Sequence, residues 1–156
     1  LSNAALHWMP EPGKVIANIW HNIKPGGVFV GEMGAEGNVS TVVRTLYSLL
    51  KARGYSGELY NPWYFPSEDE YKALLVAQGF KIHTVFSFSR PTKIEGDLVS
   101  WLRIFAQSFM TPIAREEQES FYKEVQEELR PCLYSDENGW VVDYVRLRFK
   151  AYRANS

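Results

Sequence analysis

Lys24-Pro25-Gly26-Gly27-Val28-Phe29-Val30-Gly31-Glu32 is the stretch whose reading decides the fold. Proline cannot continue a helix and glycine permits a left-handed turn, so Lys24 to Gly27 reads as a sharp stop. Val28 to Glu32 follows as a short, continuous apolar run of the kind buried on both faces of a parallel sheet. Upstream, Val15, Ile16, Ile19, Trp20 and Ile23 recur at steps of three and four residues, and Pro12 suits a first turn. That spacing predicts an amphipathic helix over residues 12–23. Helix, Pro-Gly-Gly turn and buried strand in succession are the mark of an α/β fold.

Downstream, Val42, Val43, Leu46, Leu49 and Leu50 keep helical spacing over residues 39–53, ahead of Gly54. After an aromatic and proline-rich loop, Ser67-Glu68-Asp69-Glu70 reads as a capping box. It opens a helix over residues 67–79 that closes at Gly79. Phe80, Ile82, Thr84, Phe86 and Phe88 then alternate with Lys81, His83, Val85 and Ser87, which predicts a strand with one more apolar face. A last strand is expected from Trp140 to Tyr152, with Val141, Val145, Leu147 and Phe149 on one side. Some fifty residues separate these two strands, where a hairpin needs about 2–5. They carry two helical patterns. Asp97 precedes an apolar stripe of Leu98, Trp101, Leu102, Phe105 and Phe109. A charged segment from Arg115 to Arg130 has Phe121, Tyr122, Val125 and Leu129 as its stripe.

At 156 residues, 46% hydrophobic and 22% charged, the chain is one domain of an ordinary globular kind. A net charge of −1 gives no electrostatic case for nucleic acid or an acidic membrane surface. The single cysteine, Cys132, cannot form an internal disulfide and suits a reducing, cytoplasmic setting. No apolar run approaches the ~20 residues that cross a bilayer. Three scattered histidines and one cysteine make no metal pattern.

Three segments, taken in order, resemble the class I S-adenosylmethionine (SAM)-dependent methyltransferases, in particular the small-molecule group that includes trans-aconitate methyltransferase. They are Ser2-Asn3-Ala4-Ala5-Leu6-His7-Trp8, then Lys24-Pro25-Gly26-Gly27 before Val28-Phe29-Val30, then Pro62-Trp63-Tyr64-Phe65-Pro66-Ser67 before the helix ending at Gly79-Phe80. The resemblance implies the carboxyl-terminal part of a Rossmann-like methyltransferase sheet, with a helical insertion between the last two strands. It also implies that the final strand runs antiparallel between the strands at Val28 and Phe80. The family's glycine-rich cofactor loop has no match here. The run Gly31-Glu32-Met33-Gly34-Ala35-Glu36-Gly37 is wrongly spaced. At roughly 30 residues per strand–helix unit, about 90 residues are expected to precede this piece. The chain is accordingly expected to be a single domain over residues 1–156 shortened on its amino-terminal side, with residues 91–139 as a helical lid, and to be inactive alone.

Site residues follow from the same resemblance. Ser2, Asn3, Ala4 and Ala5 match the loop after the family's fourth strand, which passes beside the methionine part of SAM. His7 is the candidate catalytic residue, since an imidazole of ordinary pKa ~6.5 can accept or donate a proton. Trp8, Glu32, Met33, Trp63, Tyr64, Trp101 and Phe105 are the candidates for holding a small-molecule acceptor. Methyl transfer is an in-line displacement whose driving force comes with the cofactor, so no triad and no metal need appear. The alternative reading is a non-enzymatic remnant that binds a partner or dimerises through an exposed sheet edge. Under either reading the chain is expected to associate, as a homodimer or with the missing amino-terminal half.

Overall fold

The computed structural model describes residues 1–155. In chain order the elements are β1 (Ser2–Asn3), α1 (Pro12–Asn22), β2 (Val28–Gly34), α2 (Ser40–Ala52), α3 (Glu68–Gln78), β3 (Phe80–Ser89), β4 (Thr92–Lys93), α4 (Leu98–Phe105), α5 (Gln118–Leu133), β5 (Tyr134–Ser135), β6 (Gly139–Val142) and β7 (Val145–Arg153). Short 3-10 turns lie at Leu6–Trp8, Gly57–Tyr60 and Gln107–Met110. They fall into two units. The first holds residues 1–38, 63–90 and 145 onward; the second holds residues 39–62 and 91–144.

The first unit is a four-stranded sheet in the order β1-β2-β7-β3. β1 is parallel to β2, and β7 runs antiparallel to both β2 and β3. The final strand therefore lies where the resemblance put it. α1 ends at the Pro-Gly-Gly turn, where Gly26 takes φ +76 and a Cβ on Gly27 would meet Ile23 Cγ2 at 2.4 Å. Gly26 N–H and Arg153 carbonyl then join the turn to the end of β7 at 2.8 Å. α3 starts at Ser67, whose hydroxyl accepts the Glu70 N–H at 3.2 Å, the forward half of the capping box. The Glu70 carboxylate accepts the Tyr64 hydroxyl at 2.8 Å.

One face of this sheet carries the core. Phe29, Met33, Leu147, Phe149 and Ala151 pack with Ile16 of α1 and with Tyr71 and Leu75 of α3. The expectation that β2 is covered on both faces is corrected here. Val28 is 47% exposed opposite Tyr152, and along the same face β7 sets Lys150, Arg148 and Arg146 opposite Val30, Glu32 and Gly34, alternating with the buried residues. A second correction concerns β3. A bulge between Ile82 and Thr84 shifts its register against β7, so the face that begins with Phe80 and Ile82 continues with Val85, not with Phe86. Phe86 is left 41% exposed.

The second unit is mainly helical, with the small sheet β4-β6-β5. Its buried side chains include Val42, Leu46 and Leu50 of α2, Leu98, Trp101 and Leu102 of α4, and Phe121, Val125 and Leu129 of α5. It extends beyond residues 91–139, because α2 packs on α5 and Arg53 of α2's end pairs with Glu124. The strand expected from Trp140 to Tyr152 is two strands, β6 and β7, in different sheets. Asp143 makes the break by capping α2: its Oδ2 accepts the Thr41 N–H at 2.9 Å and the Ser40 hydroxyl at 3.3 Å.

Candidate functional site

Parallel strands bind ligands beyond their carboxyl ends, and several candidate residues meet there in the first unit. Ser2 and Asn3 stand in register with Gly31 and Glu32. The Ala4 N–H continues the ladder to the Glu32 carbonyl at 2.8 Å. Ala4 itself takes φ +53, a left-handed conformation uncommon outside glycine. Backbone strain of this sort concentrates at ligand sites, where the surroundings hold it in place. A cavity of about 270 Å³ opens beside the loop, with Ser2, Asn3, Glu32, Arg90 and Arg148 in its lining.

Glu32 is tied down. Its Oε1 accepts Arg90 Nη1 at 2.9 Å, and its Oε2 accepts Arg148 Nε and Nη2 at 2.9 and 2.6 Å. Its side chain is 16% exposed, against 57% and 50% for the two arginines. The carboxylate thus holds two guanidiniums on the cavity's rim, where they outnumber it in charge.

His7 lies at the same end of the sheet, 6% exposed. The Gly34 N–H donates to its Nδ1 at 3.2 Å, and its carbonyl accepts the Tyr64 N–H at 2.8 Å. Phe65 and Trp8 flank the imidazole with centroids 5.8 and 5.6 Å away. Trp63 stacks on Phe65 and meets Trp8 edge-on. Burial, and then the Arg146 guanidinium, lower the His7 pKa from 6.5 to about 4. The unfolded chain takes up a proton near 6.5 while the folded chain resists it down to about 4. Stability is therefore full above pH 6.5, falls as the pH drops through that window, and levels off below it. The expected loss is about 2 kcal/mol, smaller than the bare shift implies because water reaches the ring's edge. Urea unfolding at a series of pH values checks it. His7→Gln, whose amide oxygen can still accept the Gly34 N–H, should flatten the profile.

The remaining candidates separate. Tyr64 donates its hydroxyl to Glu70, and desolvation followed by that hydrogen bond raises its pKa. Met33 has no exposed surface and packs in the core, on the face of β2 opposite Glu32, so it is corrected to a packing residue. Trp101 and Phe105 belong to the second unit. There Trp101 is 7% exposed, donates its indole N–H to the Tyr144 hydroxyl at 2.7 Å and lies 5.2 Å from Phe105. Sequence reasoning missed Arg90, Arg148 and Asn38. The signal for Arg148 was the alternation Arg146, Arg148, Lys150 opposite Leu147 and Phe149. Asn38 is buried and its side-chain oxygen accepts the Val145 N–H at 2.8 Å, which fixes the start of β7. Among the described residues no group of three or more His, Cys, Asp or Glu side chains could hold a metal ion. No helix among them is long and apolar enough to cross a membrane.

No protein-family model matches the chain. An uncharacterized methyltransferase of Schizosaccharomyces pombe is 37% identical over 167 aligned residues. The alignment takes in 97% of this chain, which spans 61% of the length of that curated relative. Among solved structures, a candidate methyltransferase from Bacillus halodurans matches with a TM-score of 0.54 at 12% identity, over 98% of this chain and 63% of that one. The YcgJ protein of Bacillus subtilis matches with a TM-score of 0.55 at 15% identity, over 99% of this chain and 63% of that one. At such identities the two structures speak for the fold alone.

Proposed function

We propose, from a chain whose sequence relative is a methyltransferase and whose fold is that of the class I methyltransferases, that it is the carboxyl-terminal part of an enzyme moving a methyl group from SAM to a small molecule. The observation that carries the reading is the Ser2–Ala5 loop. It is small in its side chains, strained at Ala4, and set at the carboxyl end of β1 beside a cavity. Such a loop fits one end of SAM, because small side chains let backbone groups approach the ligand closely.

When bound, the cofactor supplies the activated methyl group and the leaving thioether. The chain's own residues orient and exclude. Ser2 and Asn3 line the cofactor side. Glu32 holds Arg90 and Arg148 in place on the rim. Trp8 and Trp63 form an apolar wall that keeps water from the acceptor.

Calorimetry with S-adenosylhomocysteine tests the reading. A polypeptide spanning the full length of the relative should bind it, and the 156-residue chain should bind weakly or not at all. Failure of the longer polypeptide to bind would sink the proposal. In that longer protein, Trp63→Ala should weaken acceptor binding about tenfold, or about 1.4 kcal/mol, with a smaller change for the cofactor. Equal losses would return Trp63 to packing. Trp101→Ala should instead lower the stability of the helical unit, since its indole is buried and bonded to Tyr144.

The partner-binding reading is favoured by one observation, the exposure of Val28, Phe86 and Tyr152 on the sheet face opposite the core. Light scattering at micromolar concentration separates it: a dimer supports self-association through this face, a clean monomer removes it.

A further inference from the structure

The turn that follows α4 holds a buried polar atom with no partner. In Gln107-Ser108-Phe109-Met110-Thr111 the apolar side chains Phe109 and Met110 are buried, which sets the turn against the core of the second unit. The Ser108 carbonyl accepts the Thr111 N–H at 3.1 Å and the Thr111 hydroxyl at 2.7 Å. A serine in a helical turn can satisfy its own hydroxyl on a carbonyl three or four residues earlier. Ser108 does not: its Oγ is buried, and among the described residues nothing bonds it. An unpaired buried hydroxyl costs stability that an alanine methyl in its place would not. Chains depart from such local rules at functional positions.

Ser108 also lines a cavity of about 440 Å³, together with Gln107, Met110, Thr111 and Gln118. Small-molecule pockets span roughly 300–1,000 Å³. None of the five side chains carries a charge. Gln118 Nε2 donates to the Met110 and Ile113 carbonyls at 3.2 and 3.1 Å. Those two bonds use both amide hydrogens, so the oxygen is the end of that amide left to accept. Walls of this kind suit a ligand that donates and accepts hydrogen bonds without being ionic, because an ion taken from water here would meet no opposite charge.

We propose that this cavity binds an uncharged polyhydroxyl molecule of about monosaccharide size, and that the Ser108 hydroxyl turns about Cα–Cβ from its packed position to bond it. A serine hydroxyl has three staggered positions to choose from, and leaving the present one breaks no hydrogen bond. The site is built entirely from the second unit and shares no residue with the Ser2–Ala5 loop. It does not rest on the methyltransferase reading.

Glucose and glucuronate, the same ring without and with a carboxylate, are the probes. The Met110 methyl and the Gln118 side-chain amide resonances of the 156-residue chain are the readout. Glucose should move both along a saturating curve, and glucuronate at equal concentration and ionic strength should move neither. Ser108→Ala should weaken glucose binding about tenfold, the scale of one neutral hydrogen bond. It should also leave the melting temperature unchanged or raise it, since the unpaired hydroxyl is gone. Gln107→Trp alters an exposed wall residue, and should abolish binding in a protein that melts as before. No saturable response to glucose, or an equal response to glucuronate, would overturn the proposal. So would a Ser108→Ala variant that melts lower or binds as tightly as the parent, because the hydroxyl would then be a packing group. Binding that survives Gln107→Trp would place the sugar elsewhere and remove the site.

Discussion

Phe149→Ala should cost about 3–5 kcal/mol, the range for deleting a fully buried phenylalanine ring. Phe149 has no exposed surface. Its ring meets Phe29 edge-on with centroids 4.7 Å apart and lies 5.0 Å from Tyr71. It also occupies the space beside Gly31, where a Cβ would come within 2.5 Å of it. Removing the ring thus empties the volume on which β2, β7 and α3 converge. Urea denaturation followed by tryptophan fluorescence gives the number, and Phe149→Leu should lose much less. A loss below about 1 kcal/mol for alanine would mean that neighbours collapse into the gap.

Gly34→Ala should destabilise by about 1–3 kcal/mol, through overpacking. An added Cβ would stand 2.4 Å from Phe65 Cε1 and 2.8 Å from Asn38 Nδ2. It would also disturb the N–H that His7 accepts, so the consequence reaches the site as well as the core. Two readouts distinguish it from a simple core defect. The Gly34 amide should exchange faster with solvent, and Phe65→Leu should recover part of the loss in the double variant, since the two residues collide directly. Additive losses would show that the clash relaxes elsewhere.

The alternation of apolar residues and the stop signals made the fold legible. The Pro-Gly-Gly turn and the Ser67 cap stand where the sequence places them, and Asp97 caps α4 with Leu98, Trp101 and Leu102 buried, but Phe105 is exposed and Phe109 lies in the 3-10 turn beyond the helix. Two failures have definite causes. A bulge at residue 83 reverses the faces of β3, and a bulge leaves no mark on a pattern read two residues at a time. The division at Asp143 arises because its carboxylate caps a helix that begins at Ser40, and no local rule pairs residues so far apart. At the site, the Ser2–Ala5 loop was found by resemblance to a family. The anchoring of Glu32 by Arg90 and Arg148 was not, because the three residues come from three elements that meet only once the sheet has formed.

The antiparallel strand at the centre of the sheet has a further consequence, for how the chain is made. β2 and β3 share no ladder; each is bonded to β7, which is synthesised after the whole of the helical unit. A ribosome that has finished β3 has produced β2, bonded on one edge to β1, and β3, with no ladder to join the two. They must wait for residues 145–153 while residues 91–144, the larger part of the second unit, emerge. Contacts this distant in sequence close slowly, and unpaired strands invite capture by other chains in the interval. The helical unit is then expected to fold first and the half that carries the Ser2–Ala5 loop last, an order that pulse-labelled amide exchange during refolding would read.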